Sequence, residues 1–244
     1  MSRFFGFILS PLHHLAFFLI LVIFQPIQWL SLKLGGYKAH KISVDALNFF
    51  LTSAYYILGV SVKFVNQQNL PTDRPIIFTA NHQSMYDIPP LIWFLRKYHA
   101  KFISKIELTK NIPSISFNLK YGGGANIDRK DKKQSLGEIM KLGERMKENT
   151  WSAVIFPEGT RSKNGQMKEF QVGGIATLLK KAPNALIVPV AIENSWKVVK
   201  NGTVWLNAFV PIKFTVLNPI EPAGRDATEV VKQAETEVRA VAER

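Results

Sequence analysis

Two long apolar segments open the chain. The first runs from Phe4 to Leu32 without any Lys, Arg, Asp or Glu, and its densest part covers residues 15–24. Crossing the hydrocarbon core of a bilayer takes about 20 apolar residues, so this segment is long enough to span one. Its apolar run is, however, interrupted by polar or helix-breaking residues, namely Pro11, His13, His14, Gln25 and Pro26.

The flanks of this first segment argue against a simple transmembrane span. Arg3 precedes it and Lys33 and Lys38 follow it, so the positive charges define no cytoplasmic side. No small-x-small cleavage site follows it, which argues against a cleavable signal peptide. A second apolar and aromatic segment, Ile42–Val62, comes next. We therefore predict that residues 1–59 form a membrane-anchoring helical hairpin that enters one leaflet, a monotopic anchor with the rest of the chain at the cytoplasmic face; a single span is the alternative.

Short strand-like and helix-like patterns alternate along the remaining chain. The predicted strands cover residues 60–65, 75–80, 100–104, 153–156, 185–192 and 210–217. The predicted helices cover residues 84–98, 111–121, 135–148, 173–181 and 227–243. In helix 135–148 the apolar face is predicted to contain Leu136, Ile139, Met140, Gly143 and Met146. Such alternation is typical of an α/β fold with a largely parallel central sheet flanked by helices, and we predict one such domain over residues 60–244.

Charge and composition narrow the classes of partner. Lysine and arginine number 31 against 18 acidic residues, so the net charge is +13, which predicts an anionic partner. The hydrophobic fraction is 47%, and because the chain is both basic and apolar, anionic membrane lipids are the predicted partner. Because no zinc-ligand spacing or RNP-type aromatic motif occurs and the positive residues are scattered, we expect no nucleic-acid partner. The chain has no cysteine, which excludes disulfides, thiolate metal sites and a cysteine nucleophile.

The first candidate for catalysis is a His–Asp pair just after a predicted strand. The strand 75–80 leads into Asn81 and His82, and Asp87 follows His82 with four residues between them. Sites in α/β sheets form at the carboxyl ends of strands. A tight turn can return the Asp87 carboxylate to the imidazole, which fixes the ring tautomer and leaves a basic nitrogen for an attacking alcohol. On this spacing alone, a surface histidine beside a helix-capping aspartate is the stronger interpretation.

A second candidate is the loop Phe156–Ser162, which also follows a predicted strand. Arg161 can clamp a phosphate group, and Glu158 can accept a hydrogen bond from a glycerol hydroxyl. Gly159 lets backbone N–H groups approach a ligand closely. An ordinary loop with a surface salt bridge is the alternative.

Two more cations complete the set of candidates. Arg129 follows the glycines at 122–124, which by themselves indicate only a helix cap and a turn. Lys105 follows a predicted strand end and could face the same pocket, although a solvated lysine is the default interpretation. The segment Val188–Val190 is predicted to shape the pocket and not to react.

In this order, these blocks resemble the motifs of the glycerolipid acyltransferase superfamily, and within it the 1-acylglycerol-3-phosphate (lysophosphatidic acid) acyltransferases. The resemblance extends over about residues 60 to 220. The matching blocks are Asn81–Asp87, Gly124–Arg129, Phe156–Ser162 and Ile187–Val190. Each block is weakly to moderately specific alone, whereas four in order at these spacings are highly specific.

The resemblance implies a reaction and a set of roles. His82 would be the general base and Asp87 its orienter, while nearby backbone amides would steady the developing oxyanion. The acceptor would be held by Lys105, Arg129, Glu158, Gly159, Thr160 and Arg161. An acyl thioester of acyl carrier protein or coenzyme A would donate the fatty acyl group directly to the lysophospholipid acceptor, forming phosphatidic acid in phospholipid biosynthesis. No cofactor and no metal would be needed.

One departure from the family pattern bears on the acceptor. Many members have Phe-Lys-x-Gly after the Pro-Glu-Gly block, whereas this chain has Gln171 in place of the lysine. Another acceptor, a lyso-aminolipid or a different lysophospholipid, is therefore an alternative to lysophosphatidate. A nonenzymatic protein that binds anionic lipid would explain the charge and the apolar N-terminus, but not the His82 block or the loop that carries Arg161.

Overall fold

Seven strands form one sheet in a computed structural model that describes residues 2–244. Along the sheet the order is β1-β7-β6-β2-β5-β3-β4. The strands are β1 (Ser61–Asn66), β2 (Ile76–Ala80), β3 (Lys101–Lys105), β4 (Ala125–Ile127), β5 (Ala153–Ile155), β6 (Leu186–Glu193) and β7 (Pro211–Val216). The helices are α1 (Ser2–Ser53), α2 (Ile88–Phe94), α3 (Ile115–Tyr121), α4 (Lys132–Asn149), α5 (Val172–Lys181), α6 (Ser195–Val198) and α7 (Ala227–Ala242).

All neighbouring strands run parallel except β6 and β7, which are antiparallel. Strands β2 to β6 therefore end at one edge of the sheet, and β1 and β7 begin there. Every residue of β2 and β5 is buried, as expected for parallel strands covered on both faces. The predicted α/β fold with a largely parallel sheet is confirmed.

The N-terminal residues form a kinked pair of helices. Gly36, with φ 64° and ψ −160°, interrupts α1 and lets its two halves fold back on one another. Leu21 and Phe24 of the first half pack against Leu47 and Leu51 of the second. Together with a following 3₁₀ turn, Ser2–Leu58 is the one segment within residues 2–244 that is long and apolar enough to cross a membrane by length and composition.

Two apolar cores lie on opposite faces of the sheet. One contains side chains of α2 and of the end of the helix pair, and the other contains side chains of α4, α5 and α7. The predicted apolar face of α4 is wrong at Leu136 and Met140, which are 45% and 37% exposed. The buried stripe instead consists of Ile139, Leu142, Gly143 and Met146. This stripe includes Gly143, whose missing side chain leaves room for Lys181 of α5.

Several predicted boundaries also change. The helix predicted at residues 84–98 is divided into a 3₁₀ turn at Met85–Asp87, then α2, then a second 3₁₀ turn at Arg96–Tyr98. The left-handed backbone of His99, with φ 53°, ends this series. The helix predicted from residue 111 begins only at Ile115. The short elements β4 and α6 were not predicted.

Candidate active site

The reactive loop begins where β2 ends, and Asn81 fixes its position. The Asn81 amide donates to the Ile192 carbonyl at 2.9 Å and accepts from the Ile192 N–H at 2.7 Å. This pair of bonds joins the end of β2 to the neighbouring strand β6. His82 follows directly and therefore stands at the carboxyl edge of the sheet, as the sequence predicts.

His82 and Asp87 are in direct contact. His82 Nδ1 lies 2.8 Å from Asp87 Oδ2, and that same oxygen accepts from the N–H groups of Gln83 at 2.7 Å and Ser84 at 2.9 Å. The Ser84 side chain in turn accepts from the Tyr86 N–H at 3.1 Å, and Ser84 and Asp87 together form a capping box. Asp87 therefore caps the turn and orients the imidazole at the same time.

The geometry determines which nitrogen of His82 is available. A carboxylate surrounded by donors is an acceptor, so Nδ1 carries the proton and Nε2 keeps its lone pair. The Nε2 atom has no hydrogen-bond partner among residues 2–244, and the side chain remains 11% exposed while Asp87 is fully buried. The ring stacks on Phe156, with centroids 4.1 Å apart. This arrangement can accept a proton from a hydroxyl delivered at the surface.

The loop Phe156–Ser162 is attached to His82 through backbone hydrogen bonds. Glu158 accepts from the His82 N–H at 2.7 Å and from the Lys168 N–H at 2.9 Å. The Ser162 N–H donates to the His82 carbonyl at 2.7 Å. Burial raises the pKa of the Glu158 carboxyl, and the two backbone bonds oppose that rise. Glu158 therefore braces the loop against the histidine, whereas its contact with an acceptor hydroxyl stays a prediction.

The predicted cations lie along the same edge of the sheet. Lys105 ends β3, Arg129 follows β4 and Arg161 follows β5, and all three side chains are exposed. Partial burial lowers the pKa of Arg129; Glu107 opposes this shift and the nearby positive charge of Arg161 adds to it. Two guanidinium groups close enough to repel each other suit a shared phosphate. The Lys105 side chain makes no hydrogen bond or ion pair within residues 2–244.

The turn between Glu158 and Arg161 depends on Gly159. Its φ of 69° lies in the left-handed region that favours glycine, and its N–H donates to the Phe156 carbonyl at 3.1 Å. Thr160 is exposed beside it, and its hydroxyl accepts from the Lys168 ammonium. Lys168 thus places a further cation on this loop, close in sequence to the position where Gln171 replaces the family lysine.

Like Lys168, Ser195 is a residue of this site that the sequence did not predict. It is fully buried at the start of α6, and its hydroxyl donates to Asp87 Oδ1. Its position two residues after β6, at the same edge as His82, was the available signal. Within residues 2–244 no group of three or more His, Asp or Glu side chains could hold a metal ion.

The profile of the Acyltransferase family matches residues 61–193, more than half of the chain. The 1-acyl-sn-glycerol-3-phosphate acyltransferase beta of Homo sapiens is 28% identical over 210 residues, covering 86% of this chain and 73% of that protein. The chloroplastic 1-acyl-sn-glycerol-3-phosphate acyltransferase LPAT1 of Arabidopsis thaliana is 28% identical over 65% of this chain. The chain spans less than half of the length of that plant protein, 43%.

The fold also matches a solved structure. The crystal structure of the 1-acyl-sn-glycerophosphate (LPA) acyltransferase PlsC from Thermotoga maritima aligns with a TM-score of 0.81 at 24% identity. The alignment covers 100% of this chain and 97% of that one, so the likeness in fold includes the N-terminal helices as well as the sheet. The family match over β1 to β6, which contains the His82 loop and the Arg161 loop, identifies this chain as a member of the acyltransferase family.

Proposed function

We propose that this protein moves a fatty acyl group from an acyl thioester to the free hydroxyl of 1-acylglycerol 3-phosphate, forming phosphatidic acid. The observation that carries the proposal is the oriented His82 ring, whose open Nε2 lies at the sheet edge that also bears Arg129 and Arg161. Relatives named for this reaction support it. The division of the chain into an anchor at 1–59 and a reacting domain at 60–244 is part of the same proposal.

The chemistry follows from the geometry of the pair. The guanidinium groups of Arg129 and Arg161, with Lys105 and Lys168 nearby, hold the phosphate and bring the glycerol hydroxyl to Nε2. His82 takes the hydroxyl proton as the oxygen attacks the thioester carbonyl, and Asp87 stabilises the imidazolium that forms. When the tetrahedral adduct collapses, the C–S bond breaks and the thiolate takes that proton from His82. Acyl carrier protein or coenzyme A leaves as the free thiol, and no cofactor takes part.

The apolar helix pair fits a lipid substrate. Large hydrophobic side chains on α1, including Phe4, Leu12 and Phe18, are more than half exposed. A leaflet would cover them, and the +13 net charge would favour an anionic membrane surface. We infer a monotopic protein at the cytoplasmic face, which draws its lysolipid from the leaflet that holds α1.

The test is acyl transfer by purified protein in mixed micelles. Replacing His82 by Ala removes the base, and Asp87→Asn removes the charge that orients it, so each should lower kcat by about 10²–10⁴-fold. Asp73→Asn, at an exposed aspartate, is the matched control and should keep full activity. Activity of His82→Ala equal to that of the wild type would refute the role of the pair.

A panel of acceptors at one fixed donor decides the substrate. We expect the highest kcat/KM with 1-acylglycerol 3-phosphate, because the basic edge fits a phosphate monoester. A higher value with a lyso-aminolipid or with lysophosphatidylcholine would replace the acceptor while leaving the acyl-transfer proposal in place. Binding to anionic vesicles without transfer to any acceptor would favour a nonenzymatic lipid-binding protein.

A further inference from the structure

The loop between α6 and β7, residues 199–210, divides its apolar side chains into two sets. One set fills the core beneath the loop and consists of Leu206, Ala208 and Val210. The other set points outward: Val204 is 62% exposed, Trp205 43% and Phe209 55%. The outward set is not part of the buried core, and each of its side chains leaves a large fraction of its surface in water. An exposed apolar patch of this kind marks an interaction site.

Hydrogen bonds hold this loop against the first turns of α1. Ser2 and Ala208 exchange two bonds: the Ala208 N–H donates to the Ser2 carbonyl at 3.2 Å, and the Ser2 hydroxyl donates to the Ala208 carbonyl at 2.6 Å. The Leu206 N–H donates to the Ser10 hydroxyl at 2.9 Å. Gly6 permits the approach, since a Cβ there would lie 1.9 Å from the Leu206 carbonyl oxygen. The loop and the start of α1 therefore form one surface.

Aromatic rings connect the two parts of that surface. Trp205 stacks on Phe7 with centroids 4.2 Å apart, and Phe209 meets Phe5 edge-on at 5.5 Å. The surface lies at the catalytic edge of the sheet, because β7 begins where β2 and β6 end. Met85, in the loop that carries His82, is also 39% exposed.

The charges around the surface are mostly positive. Lys213 is paired with Glu193 at 3.1 Å, whereas Lys197 and Lys200 are exposed, and residues 2–44 contain no acidic residue. Trp and Phe beside lysines are typical of segments that lie at the interface of an anionic bilayer. A second copy of this chain would bring two cationic surfaces together, which disfavours self-association through this face.

We propose that the loop 199–210 is a second membrane contact, which inserts Val204, Trp205 and Phe209 into the leaflet that holds α1. This inference rests on the membrane association put forward with the proposed function. The partner is a lipid surface that contains anionic headgroups. Contact at this loop turns the carboxyl edge of the sheet, and with it His82, towards the lipid.

The absence of cysteine allows a direct test with one label at a time. Three variants each introduce a unique thiol at an exposed position. Val204→Cys places it on the loop, Leu12→Cys on α1, and Thr236→Cys on α7. Each full-length variant is labelled with an environment-sensitive fluorophore. It is then mixed with vesicles made of equal molar amounts of phosphatidylcholine and phosphatidylglycerol, prepared with and without nitroxide-labelled lipid. Acyl transfer in mixed micelles is measured separately.

On addition of vesicles, we expect the emission maximum of the labels at 204 and 12 to move to shorter wavelength and their fluorescence to be quenched by nitroxide lipid. The label at 236 should show neither change. The proposal is overturned if the label at 204 behaves like that at 236 while the label at 12 inserts. A shift at 204 that depends on protein concentration without vesicles would likewise overturn it, in favour of a second copy. Neither result affects the acyl-transfer proposal, which fails only in the micelle assay.

A pair of unlabelled variants measures the contribution of the loop. Trp205→Ser with Phe209→Ser should weaken partitioning into the same vesicles about tenfold, because two large apolar side chains no longer leave water. Leu136→Ser with Met140→Ser, which removes exposed apolar groups on α4, is the matched control and should leave partitioning unchanged. Equal partitioning of the two double variants contradicts the proposal.

Discussion

Ser195 supplies the hydrogen bond to the second oxygen of Asp87. Within residues 2–244 it is the partner of Oδ1, whereas Oδ2 accepts from His82 and from two backbone N–H groups. The left-handed backbone of Asn194, with φ 72°, turns the chain after β6 so that Ser195 reaches the carboxylate. Ser195 thus fixes the plane of Asp87 and, through it, the direction of the imidazole.

Ser195→Ala should lower kcat about tenfold, because a hydrogen bond to a charged group contributes about 1.5–3 kcal/mol. It should leave KM unchanged, because the Ser195 side chain is fully buried behind Asp87. Ser195→Thr keeps the hydroxyl and should restore most of kcat. Steady-state kinetics of both variants provide the measurement, with Ser53→Ala, at the partly buried last residue of α1, as control. A raised KM at unchanged kcat, or an equal loss in the threonine variant, would assign Ser195 a packing role only.

At the scale of elements, α1 is bonded to the loop that carries the catalytic pair. His13 is fully buried, and its Nδ1 lies 3.0 Å from the Ala54 carbonyl and its Nε2 3.0 Å from the Tyr86 hydroxyl. Because a carbonyl only accepts, Nδ1 carries the proton and Nε2 accepts from Tyr86. Burial lowers the pKa of His13, which favours the neutral ring. Tyr86 precedes Asp87, so the helix pair supports the reactive loop.

Removal of the hydrogen bond between the Tyr86 hydroxyl and His13 Nε2 should lower the stability of the protein. Tyr86→Phe keeps the ring but leaves Nε2 of His13 buried without its donor, so the free energy of unfolding should fall by about 1–3 kcal/mol. Tyr56→Phe, at a tyrosine that is 62% exposed, is the matched control and should change it little. Denaturant unfolding in detergent gives both values. A double-mutant cycle with His13→Ala that shows no coupling would mean that the two side chains do not act together.

The sequence predicted the strands that are continuous apolar runs, including the three-residue β5, but not the division of the helix predicted at 84–98. Continuous apolar runs such as β2 and β6 are visible without any knowledge of their neighbours. In contrast, β4 has three residues and α6 four, and both are held by tertiary contacts that no local pattern records. The same limit applies to the site. His82 and Asp87 share one short loop and were predicted, whereas Ser195 reaches Asp87 from 108 positions away.

At the scale of the whole molecule, Lys101 lies where the helix pair meets the sheet, at the edge opposite to His82. It is only 8% exposed; its ammonium donates to the Tyr37 hydroxyl and lies 4.6 Å from the centre of the Trp151 ring. Burial lowers the pKa of Lys101 to about 7; Lys41 adds to this shift and Asp45 opposes it. A lysine that titrates near neutral pH links the packing of the helix pair to protonation.

The sign of the resulting pH dependence follows from proton binding. Between pH 7 and the usual lysine pKa of about 10.4, the unfolded chain binds a proton at Lys101 that the folded chain does not, so stability rises with pH. From pH 7.5 to 9 the free energy of unfolding should increase by about 1–2 kcal/mol from this group. Lys101→Met should flatten the rise, and Lys147→Met, at an exposed lysine, should not. Urea unfolding in detergent at several pH values measures how steeply the free energy of unfolding rises with pH. An equal rise for the wild type and Lys101→Met would show that Lys101 stays charged in the folded protein.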